Sequence, residues 1–197
     1  MAALFYTFYS PIARNSCNNS VFFALTDSIN SQEERIMSCY GQSGFGSSPY
    51  PTADNVKCDK RMAKALFDSF AGEMSSINSY IYYSVIFSEA NPDLAEAFGE
   101  IAMTEMIHFR LLAQCIRRLG ANPALCMKIS TSSVNECACN VYEEEKRAIE
   151  RSICEETAAY EEYHRLAECT CDSALRAVLE RLACDEADHR RTLERMI

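Results

Sequence analysis

Two stretches of the sequence, Glu105-Met-Ile-His108 and Glu186-Ala-Asp-His189, each set a glutamate three residues before a histidine. On a helix such residues share a face, so each pair can bring one carboxylate and one imidazole to a single point. Hard carboxylate oxygens combined with imidazole nitrogen suit iron or manganese. Two such ions held side by side would support redox chemistry, passing electrons to peroxide or dioxygen. The spacing alone is weak, since Glu161 and His164 repeat it. What matters is whether the surrounding elements turn these groups inward.

From about residue 59 onward the apolar periodicity is helical, and start and stop signals bound four helices. The first runs from about Asp59 to Ser88 and stops at Asn91-Pro92; Asp93 and Glu96 then have the spacing of a capping box for the second. The second runs to about Leu119, with Arg117 and Arg118 suiting its C-terminal dipole and Gly120 and Pro123 stopping it. A long link, Gly120 to Cys139, follows. Asn140 with Glu143 supplies a capping box for the third helix, which continues to about Glu168, and a short turn from Cys169 to Ser173 leads into the fourth. Links that are short, long and short predict an all-α four-helix bundle of two antiparallel hairpins joined by a long crossover.

Each helix carries one inward stripe at alternating three- and four-residue steps. The stripes read Ala63, Leu66, Phe70, Glu73, Ile77, Tyr80, Ser84, Phe87; then Leu94, Phe98, Ile101, Glu105, His108, Leu112, Cys115. The third and fourth read Ile149, Ile153, Glu156, Tyr160, Tyr163, Ala167; and Leu175, Leu179, Leu182, Glu186, His189, Leu193, Met196. Four glutamates and two histidines therefore interrupt apolar seams, and no Lys or Arg falls on the stripes. Buried carboxylates without a partner are costly, so two metal ions are the natural compensation. Glu161 and His164 fall off the stripe and read as surface. Glu150 and Glu155 compete with Glu156, and helical phase favours Glu156.

The heights agree as well. Glu73 and Glu105 straddle the first predicted turn, Glu156 and Glu186 the second, each pair about 22 to 24 Å from its turn at about 1.5 Å per residue. Both pairs should meet near mid-bundle. Tyr80 and Tyr163, seven residues after Glu73 and Glu156, read either as core aromatics or as hydrogen-bond partners of the ligand carboxylates.

The chain has 197 residues, 48% of them hydrophobic, and a formal net charge of -9. That balance gives no basic footprint for nucleic acid and argues against anionic membrane as a partner. No apolar run approaches the length of a membrane span, so a soluble, cytoplasmic protein is expected. Residues 1–57 differ, with weak periodicity and a Gly, Ser and Pro-rich stretch from Gly41 to Pro51; they read as a flexible, poorly ordered arm, with residues 58–197 as the bundle domain. Met37 offers an alternative start. Eleven cysteines, an odd number scattered over helices and links, favour a reducing compartment, and the Cys137/Cys139 and Cys169/Cys171 pairs read as free thiols.

Glu73-Met-Ser-Ser-Ile-Asn-Ser-Tyr80, then Glu105-Met-Ile-His108, Glu156 and Glu186-Ala-Asp-His189, together resemble the ferritin-like superfamily, particularly bacterioferritins, rubrerythrins and manganese catalases, over about residues 59–197. The resemblance implies a ferritin-like bundle holding two Fe or two Mn ions. It implies Glu73 and Glu156 at one metal each, Glu105 and Glu186 bridging, and His108 and His189 as nitrogen ligands. Tyr80 and Tyr163 are the candidate catalytic residues. The implied activity is peroxidase, ferroxidase or catalase-type, in a homo-oligomer; iron storage in a cage, or a structural or cargo role with a retained site, is the alternative. The sequence departs from rubrerythrins in having no rubredoxin-like Cys-x-x-Cys, and their extra third-helix glutamate would fall near Ile153.

Overall fold

The structure, a computed structural model, describes residues 50–57, 59–125 and 141–197. A 3-10 turn, Ala53–Asn55, precedes four helices: α1 (Lys60–Ile86), α2 (Pro92–Arg118), α3 (Val141–Cys169) and α4 (Ser173–Glu194). No strand occurs among the described residues, and none of their helices is long and apolar enough to cross a membrane.

Local chemistry sets the helix ends. Asp59 caps α1 by accepting from the backbone N–H groups of Arg61 and Met62, and Asp172 caps α4 by accepting from those of Ala174 and Leu175. The expected capping box at Asp93 is corrected: Asn91 accepts from the Leu94 N–H, and Pro92 takes the first helical position, where a missing N–H does no harm. Asp93 lies in the first turn, an anion at the positive end of the helix. Gly120 stops α2 as expected, in the left-handed region at φ 93°. Asn140 and the crossover from residue 126 to 140 lie outside the described residues.

α1 packs along α2 and α3 along α4, while α2 also meets α4 and α1 meets α3. Their directions follow from two hydrogen bonds, Tyr163 to Glu73 and Tyr80 to Glu156. Positions 73 and 80 face 163 and 156 in reverse order, so α1 and α3 are antiparallel. Each short turn reverses the chain, which makes α2 and α3 parallel. The connection between them must therefore return along the whole bundle. The 27 residues of α2 span about 40 Å, a distance that extended chain covers in about 12 residues. A tight turn could not do it; the stretch from 119 to 140 can.

The apolar core is split in two. One part gathers Leu66, Phe70, Leu112, Ile116, Leu166, Leu179 and Leu182; the other gathers Phe87, Leu94, Phe98, Ile101, Ile149, Ile153 and Leu193. Between them, on every helix, the inward stripe turns polar. The predicted stripes thus hold, with Ser84 and Met196 only half-buried.

Residues 50–57, placed in the arm on composition, pack against the bundle: Ala53 and Val56 are buried in the first cluster, and Tyr50 covers its edge. Cys169 and Cys171 are exposed free thiols, whereas Cys154 is disulfide-bonded. Cys137 and Cys139 lie outside the described residues.

Candidate metal centre

The six groups expected inward are all buried and all in the polar layer: Glu73, Glu105, His108, Glu156, Glu186 and His189. Each helix brings its share because the stripe phase carries through the layer without interruption. Glu155 is only partly buried and Glu150 is exposed beside Lys146, so of the three glutamates Glu156 is the one buried in this layer. His164 stays at the bundle periphery, paired with Glu168 at 3.7 Å.

Nitrogen and oxygen atoms in this layer crowd together. His108 Nδ1 lies 3.1 Å from Glu186 Oε1, 3.3 Å from Glu105 Oε2 and 3.8 Å from Glu73 Oε2. His189 Nδ1 lies 2.9 Å from Glu105 Oε1, 3.2 Å from Glu186 Oε2 and 3.4 Å from Glu156 Oε2. Yet His108 Nδ1, Glu105 Oε1 and Glu186 Oε1 have no hydrogen-bond partner among the described residues. Near but misaligned is what donor atoms aimed at a shared third point look like. Ligands bound to one ion at about 2.0 to 2.2 Å and at right angles stand about 3 Å apart, close to the spacings found.

Two overlapping groups of side chains could hold a metal ion. Glu73, Glu105, His108 and Glu186 form one, and Glu105, Glu156, Glu186 and His189 form the other; within each group the candidate ligand atoms lie within 4.8 Å of one another. Glu105 and Glu186 belong to both. Each group draws three side chains from its own hairpin and one from the other. The donor set is hard oxygen plus imidazole, which suits iron or manganese. Four carboxylates also balance two divalent cations when both imidazoles are neutral, which removes the penalty of a net buried charge.

Without cations, protons take over that neutralising role. Burial, then the neighbouring carboxylates, hold the Glu73 and Glu156 carboxyls well above their usual range. Burial alone would lower His108 and His189, but the surrounding carboxylates outweigh it and raise both well above an ordinary imidazole. Burial also opposes ionisation of Glu105 and Glu186, yet both end up lowered. For Glu105 the largest opposing cause is a hydrogen bond with Glu73; for both, the adjacent histidines add to it.

Tyr80 and Tyr163 resolve in favour of hydrogen bonding, and across hairpins rather than within them. Tyr80 donates to Glu156 Oε1 and Tyr163 to Glu73 Oε1, both from fully buried positions. Ile153, near which the resemblance places the extra third-helix glutamate of rubrerythrins, is buried among apolar neighbours.

Three residues near the site were not anticipated. Asp185 accepts from His108 Nε2 at 3.1 Å and from Arg181 Nε at 3.1 Å, and the guanidinium of Arg181 lies over the Tyr50 ring. Arg181 and Arg190 are also buried, and the four stripes themselves carry no Lys or Arg. Both are off the stripe, at the bundle's flank, and Arg181 is spoken for by Asp185. An acid directly before the Glu186 motif, with an arginine four residues earlier, was the available signal.

The family model described as Rubrerythrin matches residues 64–197, from the second turn of α1 to the end of α4 and beyond. No curated protein and no solved structure matches the chain. With the match spanning all of the bundle but the first turn of α1, and with buried carboxylate and histidine groups that could hold metal drawn from all four helices, the chain belongs to the rubrerythrin family.

Proposed function

We propose that this protein binds two iron or two manganese ions and carries out redox chemistry on peroxide or dioxygen. The observation that carries the reading is the sharing of Glu105 and Glu186 between two four-residue groups, which sets two ion positions side by side instead of one. When bound, a pair of redox-active ions supplies two electrons to one substrate molecule.

The chain's own residues set the conditions for that exchange. Glu73 and Glu156 would each serve one position, Glu105 and Glu186 would be shared by both, and His108 and His189 would supply the nitrogen. Tyr80 and Tyr163 hold the two terminal carboxylates and are the nearest buried O–H donors, placed to hold or deliver a proton at Glu156 Oε1 and Glu73 Oε1. The apolar layers on either side keep bulk water away.

Anaerobic titration tests the reading: two equivalents of iron or manganese should bind per chain, and the loaded protein should consume peroxide or dioxygen. Failure to consume either with both metals would refute the redox assignment. The same reading includes a homo-oligomer, and the exposed apolar side chains of the first hairpin, Ile81, Tyr82 and Val85 of α1 and Met103, Met106 and Ile107 of α2, support it. Size-exclusion chromatography should show an assembly that the double change Val85→Glu, Met103→Glu breaks; an unaltered monomer would refute it.

A further inference from the structure

The residues just before the matched domain bear directly on the proposed centre. Val56 and Ala53 sink into the core, Asp54 pairs with Arg118 at 2.8 Å, and the Lys57 N–H donates to Asp172 at 2.9 Å. These anchors lay residues 50–57 over the seam between α2 and α4. At its start, Tyr50 presents its ring to the edge of His108, with centroids 6.4 Å apart and planes at 68°. The same ring lies 4.3 Å under the Arg181 guanidinium, and Arg181 holds both oxygens of Asp185 from Nε at 3.1 Å. Asp185 in turn accepts a hydrogen bond from His108 Nε2.

The chain of contacts has a physical purpose. A histidine that ligates through one nitrogen is oriented by what its other nitrogen meets, and the carboxylate that meets it must itself be held. Asp185 is 9% exposed and Arg181 7%, so water gives little help in holding either. Tyr50 supplies the cover, and its position between Arg181 and His108 fixes both at once. Burial, then the nearby Asp185 carboxylate, push its phenol up, keeping it a neutral donor.

We propose that residues 50–57 form a strap over the seam between α2 and α4, in which Tyr50 is a positioning residue that fixes His108 through Arg181 and Asp185 and so tightens one of the two ion positions. The inference rests on the two-metal reading above. Its reach is selective, because Tyr50 touches His108 and Arg181 and the group containing His189 lies on the other side of the bridging glutamates.

The test uses the full chain with cobalt(II) alone as the probe. Wild type, Tyr50→Ala and Tyr50→Phe are loaded, and removal by excess chelator is followed through the cobalt visible absorption. Tyr50→Ala should speed release of one ion about tenfold or more, leaving the other near its wild-type rate, since loss of a ligand's supporting partner weakens metal sites by about 10- to 100-fold. Tyr50→Phe keeps the ring over which Arg181 stacks but loses the hydroxyl beside Asp185, and its release rate should fall between those of wild type and Tyr50→Ala. Arg181→Lys, which keeps the charge but loses the planar stack, should repeat the alanine effect. Equal release of both ions in wild type and Tyr50→Ala overturns the proposal. Imidazole nitrogen resonances of the metal-free protein separate this from the parent reading: Tyr50→Ala should shift His108 and spare His189. That shift in a wild-type background that takes up no cobalt would sink the metal assignment and leave the strap standing; its absence would sink the strap.

Discussion

Substituting a shared glutamate should remove both ions, while substituting a terminal one should remove only one. Glu105 sits in both candidate groups and Glu73 in one, so Glu105→Ala strips each ion of a side chain and Glu73→Ala strips a single ion. Each ion starts with four side chains. A carboxylate's attraction for a unit charge about 4 Å away, at an effective dielectric near 20, is about 4 kcal/mol, or roughly a thousandfold in affinity. Glu105→Ala applies that loss twice. It also leaves three carboxylates against two divalent cations, so the site carries a net buried charge that further weakens whichever ion remains. An assay by anaerobic isothermal titration with manganese(II), checked by metal content after gel filtration, should give two equivalents for wild type, one for Glu73→Ala and none for Glu105→Ala. The stability of the loaded protein should follow, because each ion at a hundredfold excess over its dissociation constant adds about 2.7 kcal/mol. Retention of one tightly bound ion by Glu105→Ala would show that the glutamate is not shared, and the two-site geometry would have to be abandoned.

Other outcomes follow from the same geometry. Tyr163→Phe leaves Glu73 Oε1 without its buried donor and should lower stability by about 1 to 3 kcal/mol in thermal melts; Tyr80→Phe should do the same through Glu156, and peroxide turnover should fall in both. Metal uptake should expel protons, because Glu73, Glu156, His108 and His189 all bind protons more tightly than usual in the metal-free protein. Affinity should therefore rise with pH, and titrations in buffers of different ionisation enthalpy should report up to about four protons per pair of ions. Asp172→Ala removes the α4 cap and the Lys57 contact and should cost about 1 kcal/mol. Burial works against the Asp172 carboxylate, but hydrogen bonds from Leu175, Lys57 and Ala174 lower its folded pKa below 3.8. Its contribution is thus present above that value and lost as pH falls through the folded one, so wild type and Asp172→Ala should converge in stability in strong acid.

The site was legible because a helix's inward phase survives a change of residue chemistry: Glu105 and His108 keep the angle of Ile101 and Leu112 although their polarity is opposite. Register followed from chain counting about the turns. Less could be read where tertiary packing decides. Asp185 lies one step off the stripe, and only the close approach of α2 to α4 brings it to His108. Tyr50 belongs to a stretch whose Gly and Pro content speaks for irregular chain, and composition does not say what irregular chain rests on. Asn91 was read as a stop when it is also the next helix's cap, since the same side chain serves both purposes.

The exchange of one glutamate between hairpins has a consequence for how the molecule comes together. Either hairpin by itself offers three of the four side chains that an ion position uses, with an acidic, half-open flank in place of a cavity. Ions can then act as cross-braces that arrive once the halves have docked, and withdrawing them should loosen the junction between halves before it loosens either helix pair. Hydrogen exchange across α1 and α3, where the tyrosines reach over, would be the earliest place to register it.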